Sequence, residues 1–262
     1  MTGDASNEAE YGFVVHLDTQ GSGRLSDTEK PEMRRRLYDV SDRAFDQAGI
    51  RPPRLYQEDR GDGILSVLAP TVPPRRVVGE WLEYLHQNLR ESNVGRTAPL
   101  RLRVGLHIGP VTSDAHGRSG RAVDLACRLG DSDVARAILA AAPTAPLVAV
   151  VSDRVYEEVV QPGGRWVEPE RYRSFDVDLK EGRRSAWFMV PGLPQPPSPA
   201  QGATPAADPV ATPGGGPSPS PHPAPDGHLV QYNNNHGNGQ FYAGGRFGDI
   251  HITHHPATGG DR

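Results

Sequence analysis

Cysteine is nearly absent. Cys127 is the single one in 262 residues, so no intramolecular disulfide can form. Lysines are few, and aromatic residues make up 6% of the chain. Neither sign of charge dominates: the formal net charge is -4 and the isoelectric point about 6.2. No basic stripe of the kind that tracks a nucleic-acid backbone is present. No apolar run approaches the roughly 18 residues of a membrane span. The first residues, MTGDASNEAEYG, are polar and acidic, without the basic and apolar segments of a secretory signal. These absences predict a soluble cytoplasmic protein with no nucleic acid and no membrane among its partners.

Proline is plentiful, but unevenly so. Thirteen of the 26 prolines fall between Pro191 and Pro225. The chain therefore divides by composition. Residues 1–10 form a flexible N-terminus, and residues 11–192 carry apolar periodicity sufficient for one core. Residues 193–227 form a Pro/Gly/Ala/Ser linker with little to bury. Residues 228–262 are an Asn/Gly/His-rich tail.

Within 11–192 the patterns alternate. Strand signals fall at about 12–18, 54–58, 63–68, 100–108 and 147–151, with a closing hairpin over 171–179 and 185–190. Helix signals fall at about 29–49, 75–92, 119–141 (with a break at Gly130) and 153–160. Ser26 and Glu29 have capping-box spacing, and Pro31 suits a first helical turn. Leu100, Leu102, Val104, Leu106 and Ile108 alternate and face one way. The fold class predicted is α/β (α+β), an elaborated ferredoxin-like central sheet flanked by helices.

Residues 13–26, FVVHLDTQGSGRLS, pose a chemical question: a lone carboxylate, Asp18, ends an apolar strand and precedes a loop of small residues. Taken singly, such an Asp shapes a turn or caps a helix more often than it does chemistry. Asp62, in the Gly-flanked turn DRGDG, is equally ordinary by itself. Two carboxylates on adjacent loops, however, can share divalent cations. His16 and His107 sit inside strands and suit packed, hydrogen-bonded roles better than ligation. Cys127 suits a small packed residue better than a nucleophile.

Five pieces in order carry a resemblance. They are Asp18–Gly21–Ser22, Gly61–Asp62–Gly63, the run RVGLHIGPV from Arg103 to Val111, GRAVDLACR from Gly120 to Arg128, and DLKEG at 178–182. Together they resemble the catalytic domain of class III nucleotidyl cyclases, over about residues 11–192. The resemblance implies two Mg2+ or Mn2+ ions on Asp18 and Asp62, with the Gly21–Ser22 loop against the phosphates. It implies that Arg128 stabilises charge at the α-phosphate and that Lys180 grips the terminal phosphates. It also implies a homodimer in which Arg128 acts across the interface, and a purine nucleoside triphosphate as substrate.

Departures accompany the matches. Asp124 stands where the family usually has an Asn, and a carboxylate cannot donate to a ribose unless protonated. Glu58 occupies a base-selecting position, where guanylate-forming members carry Glu, while its partner position is Gly117, neither the Asp nor the Cys of the family. The base is left open, leaning to GTP. The tail segment NNNHGNGQFYAGGRFGDIHITHH is rich in amides and nearly uncharged, a composition that stacks as cross-β. Asn235, Gly237, Gly239, Ala243, Gly244, Gly248, Asp249 and Ile250 resemble short amyloid signalling motifs of bacterial NLR-type (STAND) NTPase systems. That resemblance implies such an NTPase as partner. Three functions stay open: a tail-recruited cyclase, a non-catalytic cyclase-homology module that binds a nucleotide or partner, and an interaction protein whose folded domain is a scaffold.

Overall fold

The computed structural model describes residues 8–180 and 182–199. The linker beyond 199, the tail at 228–262 and its motif lie outside the described residues. Among the described residues eight strands form one sheet: β1 Glu10–Thr19, β2 Leu55–Asp59, β3 Gly63–Leu68, β4 Leu102–Asp114, β5 Gly117–Ser119, β6 Leu147–Ser152, β7 Arg173–Leu179 and β8 Gly182–Met189. The order is β2-β3-β1-β4-β6-β8-β7, with β5 paired to β4. Every pairing is antiparallel except β4 with β6. The helices are α1 Lys30–Gln47, α2 Pro74–Arg76, α3 Leu82–Asn93, α4 Arg121–Gly130, α5 Asp133–Ala141 and α6 Asp153–Val155. This is the predicted mixed sheet flanked by helices.

Strand alternation sorts the core into two layers. Phe13, Val15 and Leu17 of β1 join Leu102, Val104 and Leu106 of β4 under Leu37, Val40 and Phe45 of α1 and Leu85 and Leu89 of α3. The opposite face of the same strands carries Val14, Leu65 and Val67, which pack on Ala122, Val123 and Ala126 of α4. Further along that face, Ile138 and Leu139 of α5 cover Val148 and Val150 of β6 and Phe188 of β8.

Helix α4 lies unusually close to the sheet. Gly105 and Gly109, four residues apart on one face of β4, leave the space. A Cβ at Gly105 would stand 2.0 Å from the Ala126 carbonyl oxygen, and one at Gly109 3.0 Å from the Ala122 Cβ.

Several boundaries differ from expectation. The predicted helix over 119–141 breaks after Gly130, as the glycine suggested, and Ser132 caps α5 by accepting from the Ala135 amide at 3.2 Å. Strand β4 runs six residues beyond 108 and turns back as β5. The Ser26–Glu29 box is half formed: the Glu29 carboxylate accepts from the Ser26 amide at 2.8 Å, while the Ser26 hydroxyl donates to that same carboxylate. The helix over 75–92 contains a π-helical turn, Val77–Trp81, and a second one, Tyr156–Val160, follows α6.

Candidate active site

Asp18 is the penultimate residue of β1, and in register it faces Gly63 of β3 on one side and Arg103 of β4 on the other. Gly63 makes the first juxtaposition possible. A Cβ there would stand 2.4 Å from the Leu17 carbonyl oxygen, so only glycine lets the β2–β3 turn close on the end of β1. That turn carries Asp62, whose carbonyl accepts from the Thr19 amide at 3.1 Å. Arg34 of α1 fixes the turn from outside, pairing with Asp59 and donating to the Gly61 carbonyl. Gly61 itself has φ +81°, a conformation glycine adopts without strain.

Asp18 and Asp62 thus line one cleft of about 480 Å³ with Ser22, Arg103, Arg128 and Asp131. His16, Cys127 and Arg136 complete its wall. The Ser22 hydroxyl donates to the Asp62 carboxylate. The loop between them contains Gly21 at φ +78° and a single 3-10 turn, Ser22–Arg24.

Arg103 organises the floor. Its side chain is 7% exposed. It donates to the Asp18 carboxylate, to the Gln20 side-chain oxygen, to Asp131 at 3.3 Å and, through Nε, to the Gly130 carbonyl at 3.1 Å. Burial nevertheless pushes the Asp18 carboxyl up to about 6, against the pull of Arg103, and Asp62 adds to the rise. Removing a carboxylate from water disfavours its charged form, and a like charge nearby does the same. His16 is 8% exposed, with its Nδ1 unpartnered among the described residues. Burial lowers its pKa to about 4, so the imidazole is neutral at pH 7. The packed role predicted for His16 holds, but its hydrogen bond does not. His107 has its bond, Nδ1 to the Ser152 hydroxyl at 2.7 Å.

Cys127 is half-buried, and burial raises its thiol to about 11, which leaves it a weak nucleophile. Asp124 is exposed, one helical turn before Arg128 on α4. Glu58 and Gly117 meet although 59 positions apart in sequence. A Cβ at Gly117, where φ is +135°, would stand 2.7 Å from Glu58 Oε2. The Tyr56 hydroxyl donates to that oxygen at 3.2 Å, Arg60 pairs with the other oxygen at 3.1 Å, and the Arg118 guanidinium lies over the Tyr56 ring.

Lys180 is not brought to this cleft. It is exposed in the turn after β7. That strand is at the far edge of the sheet and antiparallel in direction to β1, so its end is the end where β1 begins. Arg128, in contrast, lines the cleft of its own chain. The sequence reading missed Arg103, Asp131 and Arg136. Arg103 carried no signal of its own: in LRLRVGLHI it falls on the polar phase of the alternation, with Arg101 and His107.

The chemistry available is that of two hard carboxylate donors beside guanidinium groups. Among the described residues no group of three or more His, Cys, Asp or Glu is arranged to hold a metal. A pair of carboxylates still fits Mg2+, which is commonly held by one or two carboxylates while substrate phosphates and waters supply the rest.

No family model matches the chain, and no curated protein matches by sequence. Solved structures do match. An adenylate/guanylate cyclase/hydrolase from Silicibacter pomeroyi is 23% identical, covering 71% of this chain and 99% of that one with a TM-score of 0.52. The guanylate cyclase domain of RhGC from Catenaria anguillulae, in complex with GTP, is 20% identical, covering 71% and 98% with a TM-score of 0.48. The adenylyl cyclase CyaB from P. aeruginosa is 14% identical, covering 70% and 95% with a TM-score of 0.47. The first likeness places the fold with that of class III cyclase catalytic domains. No helix among the described residues is long and apolar enough to cross a membrane.

Proposed function

We propose that this chain is a nucleotidyl cyclase that converts a purine nucleoside triphosphate, GTP in preference to ATP, to a 3′,5′-cyclic nucleotide and pyrophosphate. One observation carries the reading: Asp18 and Asp62, 44 positions apart in sequence, share a cleft with Arg128 on a fold of the cyclase type. In the reaction the ribose 3′-hydroxyl gives up its proton to solvent and its oxygen attacks the α-phosphorus, while the bond from that phosphorus to the bridging β-phosphate oxygen breaks and pyrophosphate leaves with the electron pair. Asp18 and Asp62 would hold two Mg2+ or Mn2+ ions, which when bound supply Lewis acidity at the reacting oxygens. Arg128 would meet charge developing on the phosphate. The Gly21–Ser22 loop would lie along the triphosphate, with Ser22 fixing Asp62. Glu58 would accept from the guanine edge.

A homodimer belongs to the same proposal: Lys180, at the opposite end of the sheet, would reach the phosphates only from a second copy. The test is incubation of purified protein with each NTP and Mn2+ or Mg2+, with products identified by mass spectrometry. A cyclic nucleotide that disappears in Asp62→Ala is the expected result. Absence of turnover with every NTP, under both metals and with a demonstrated dimer, would refute the activity.

The second reading, a non-catalytic module that binds a nucleotide or partner, has its own observations. Arg103 already occupies Asp18, Asp124 cannot donate as an amide would, and Gly117 brings no polar group. Metal-independent nucleotide binding without turnover is its signature. Recruitment through residues 228–262 belongs to the same proposal: a peptide of residues 229–254 should form fibrils with the 4.7–4.8 Å strand repeat. A peptide that stays monomeric when seeded would remove the STAND-type NTPase as partner.

A further inference from the structure

A second pocket, sharing no residue with the Asp18 cleft, lies between α2 and the loop that precedes β7. Its volume is about 270 Å³, and Arg75, Arg76, Arg165, Glu80 and Trp166 line it. Three guanidinium groups thus face one carboxylate, in a chain whose net charge is negative. Arg76 approaches Glu80 only to 3.9 Å. Neither Arg75 nor Arg165 has an ion pair or hydrogen bond to a described residue.

The pocket is built rather than incidental. The Arg75 guanidinium lies on the Gly164 backbone, where a Cβ would stand 2.0 Å from it. Trp166 is 52% exposed and has φ +122°, the single non-glycine residue with positive φ among those described. Gly164 and Val167 exchange two backbone hydrogen bonds at 3.0 Å and hold it there. Its Cβ packs against Gly79 in the π-helical turn, where a side chain would collide at 2.9 Å. Strained backbone and π turns both concentrate at functional sites. Here they hold a large indole in water, with the Arg165 guanidinium 5.5 Å from its ring centre.

We propose that the Arg75–Arg165–Trp166 pocket binds a nucleoside monophosphate, linear or cyclic. Planar guanidinium groups match phosphate oxygens two at a time. An exposed indole offers a face on which a base stacks. A bare anion has no use for the indole, and an acidic peptide needs an extended surface rather than a concavity of this size. At about 270 Å³ the pocket lies just below the range of ligand pockets, which begins near 300 Å³, so the phosphate would sit inside it and the base outside, on the exposed indole. The proposal stands apart from the cyclase reading, since no residue is shared.

The test is indole fluorescence and calorimetry on the full chain, titrated with GMP, cyclic GMP, guanosine, inorganic phosphate and an oligoglutamate peptide. The expected result is saturable quenching by GMP or cyclic GMP. Guanosine and phosphate should each bind at least about tenfold more weakly, since each lacks half of the recognition. Arg75→Glu and Arg165→Glu should each weaken binding by about tenfold or more. Asp62→Ala should leave it unchanged, which separates this pocket from the cleft. Trp166→Phe should keep calorimetric binding while losing most of the fluorescence change. Circular dichroism shows whether each variant folds, and Arg165→Gln serves if Arg75→Glu does not. The proposal is overturned by any of four results: no saturable binding up to about 10 mM, nucleotide binding indifferent to both charge reversals, phosphate binding as tightly as GMP, or preference for the peptide.

Discussion

Replacing Gly105 by alanine should separate the seat of helix α4 from everything else in the fold. The added methyl would stand 2.0 Å from the Ala126 carbonyl oxygen and 2.8 Å from the Gly130 amide nitrogen, both backbone atoms that cannot rotate away. Restoring ordinary contact near 3.5 Å requires α4 to move outward by about 1–1.5 Å. Overpacking of this kind costs about 1–3 kcal/mol, which in a domain of this size lowers the melting temperature by about 2–12 °C. The functional loss should be larger than the loss of stability. Arg128 and Asp131 ride on α4 or its end, and a displacement of about 1 Å in a positioned group can reduce turnover by about 100-fold. Gly23→Ala is the control, because no atom lies within 4 Å of its Cβ position. Melting curves and cyclase assays on both variants check the reasoning. A Gly105→Ala protein as stable and active as the parent would mean that α4 does not rest on β4 in this way.

Other expected outcomes follow from the same geometry. Mixing inactive Asp62→Ala with inactive Lys180→Ala should recover activity in the heterodimer, since one of its two sites keeps both residues; no recovery with heterodimers demonstrated would place Lys180 outside the reaction. Glu58→Gln should lower the kcat/KM ratio of GTP over ATP by about 10-fold or more, given about 1.5–3 kcal/mol for a hydrogen bond to a charged group, and an unchanged ratio would remove Glu58 from base selection. His107 has its pKa lowered to about 4, chiefly by burial and then by Arg154. Its neutral form is therefore favoured by the fold; this contribution is complete above pH 6.5 and is lost as pH falls from 6.5 through 4, because the unfolded chain takes up the proton first. Relative to wild type, His107→Gln should flatten the acid limb of the stability curve by up to about 3 kcal/mol at pH 4, as chemical denaturation at several pH values would report, and parallel curves would show that His107 is not buried neutral.

Much of this arrangement was legible because the strands announce themselves. The apolar run ending at Asp18, the tight DRGDG turn and the alternation from Leu100 to Ile108 each imply a local structure from local residues, and each formed. What was not legible depends on register. Arg103 appears in sequence as one polar residue in an alternating strand, and its role exists only because β1 and β4 pair Asp18 opposite Arg103. The Glu58–Gly117 contact likewise needs β4 to run past its predicted end and fold back as β5, through GPVTSDAHGRSG, which has the composition of a loop. The π-helical turns left no trace, since one residue added to a turn does not disturb the apolar stripe enough to be seen.

Register also answers what a lone carboxylate does at the mouth of a buried strand. An isolated Asp18 in that position would be disfavoured by desolvation, and its raised pKa records this. The fold offsets the cost with Arg103, which is itself satisfied by Gln20, Gly130 and Asp131. A turn-shaping or helix-capping aspartate would not need a buried guanidinium, a second carboxylate brought beside it by Gly63, and a hydroxyl assigned to that second carboxylate. The cleft therefore brings two acids to one wall, with Asp18 partly removed from water. Asp18 and Asp62 would hold a divalent ion there, which would supply Lewis acidity, and Arg103 would orient the Asp18 carboxylate. Asp18→Asn tests that role. It should abolish metal-dependent turnover while Asp131 continues to hold Arg103, so that thermal stability falls by only about 1–2 kcal/mol. A variant that unfolds outright would show that Asp18 serves the core first and the cleft second.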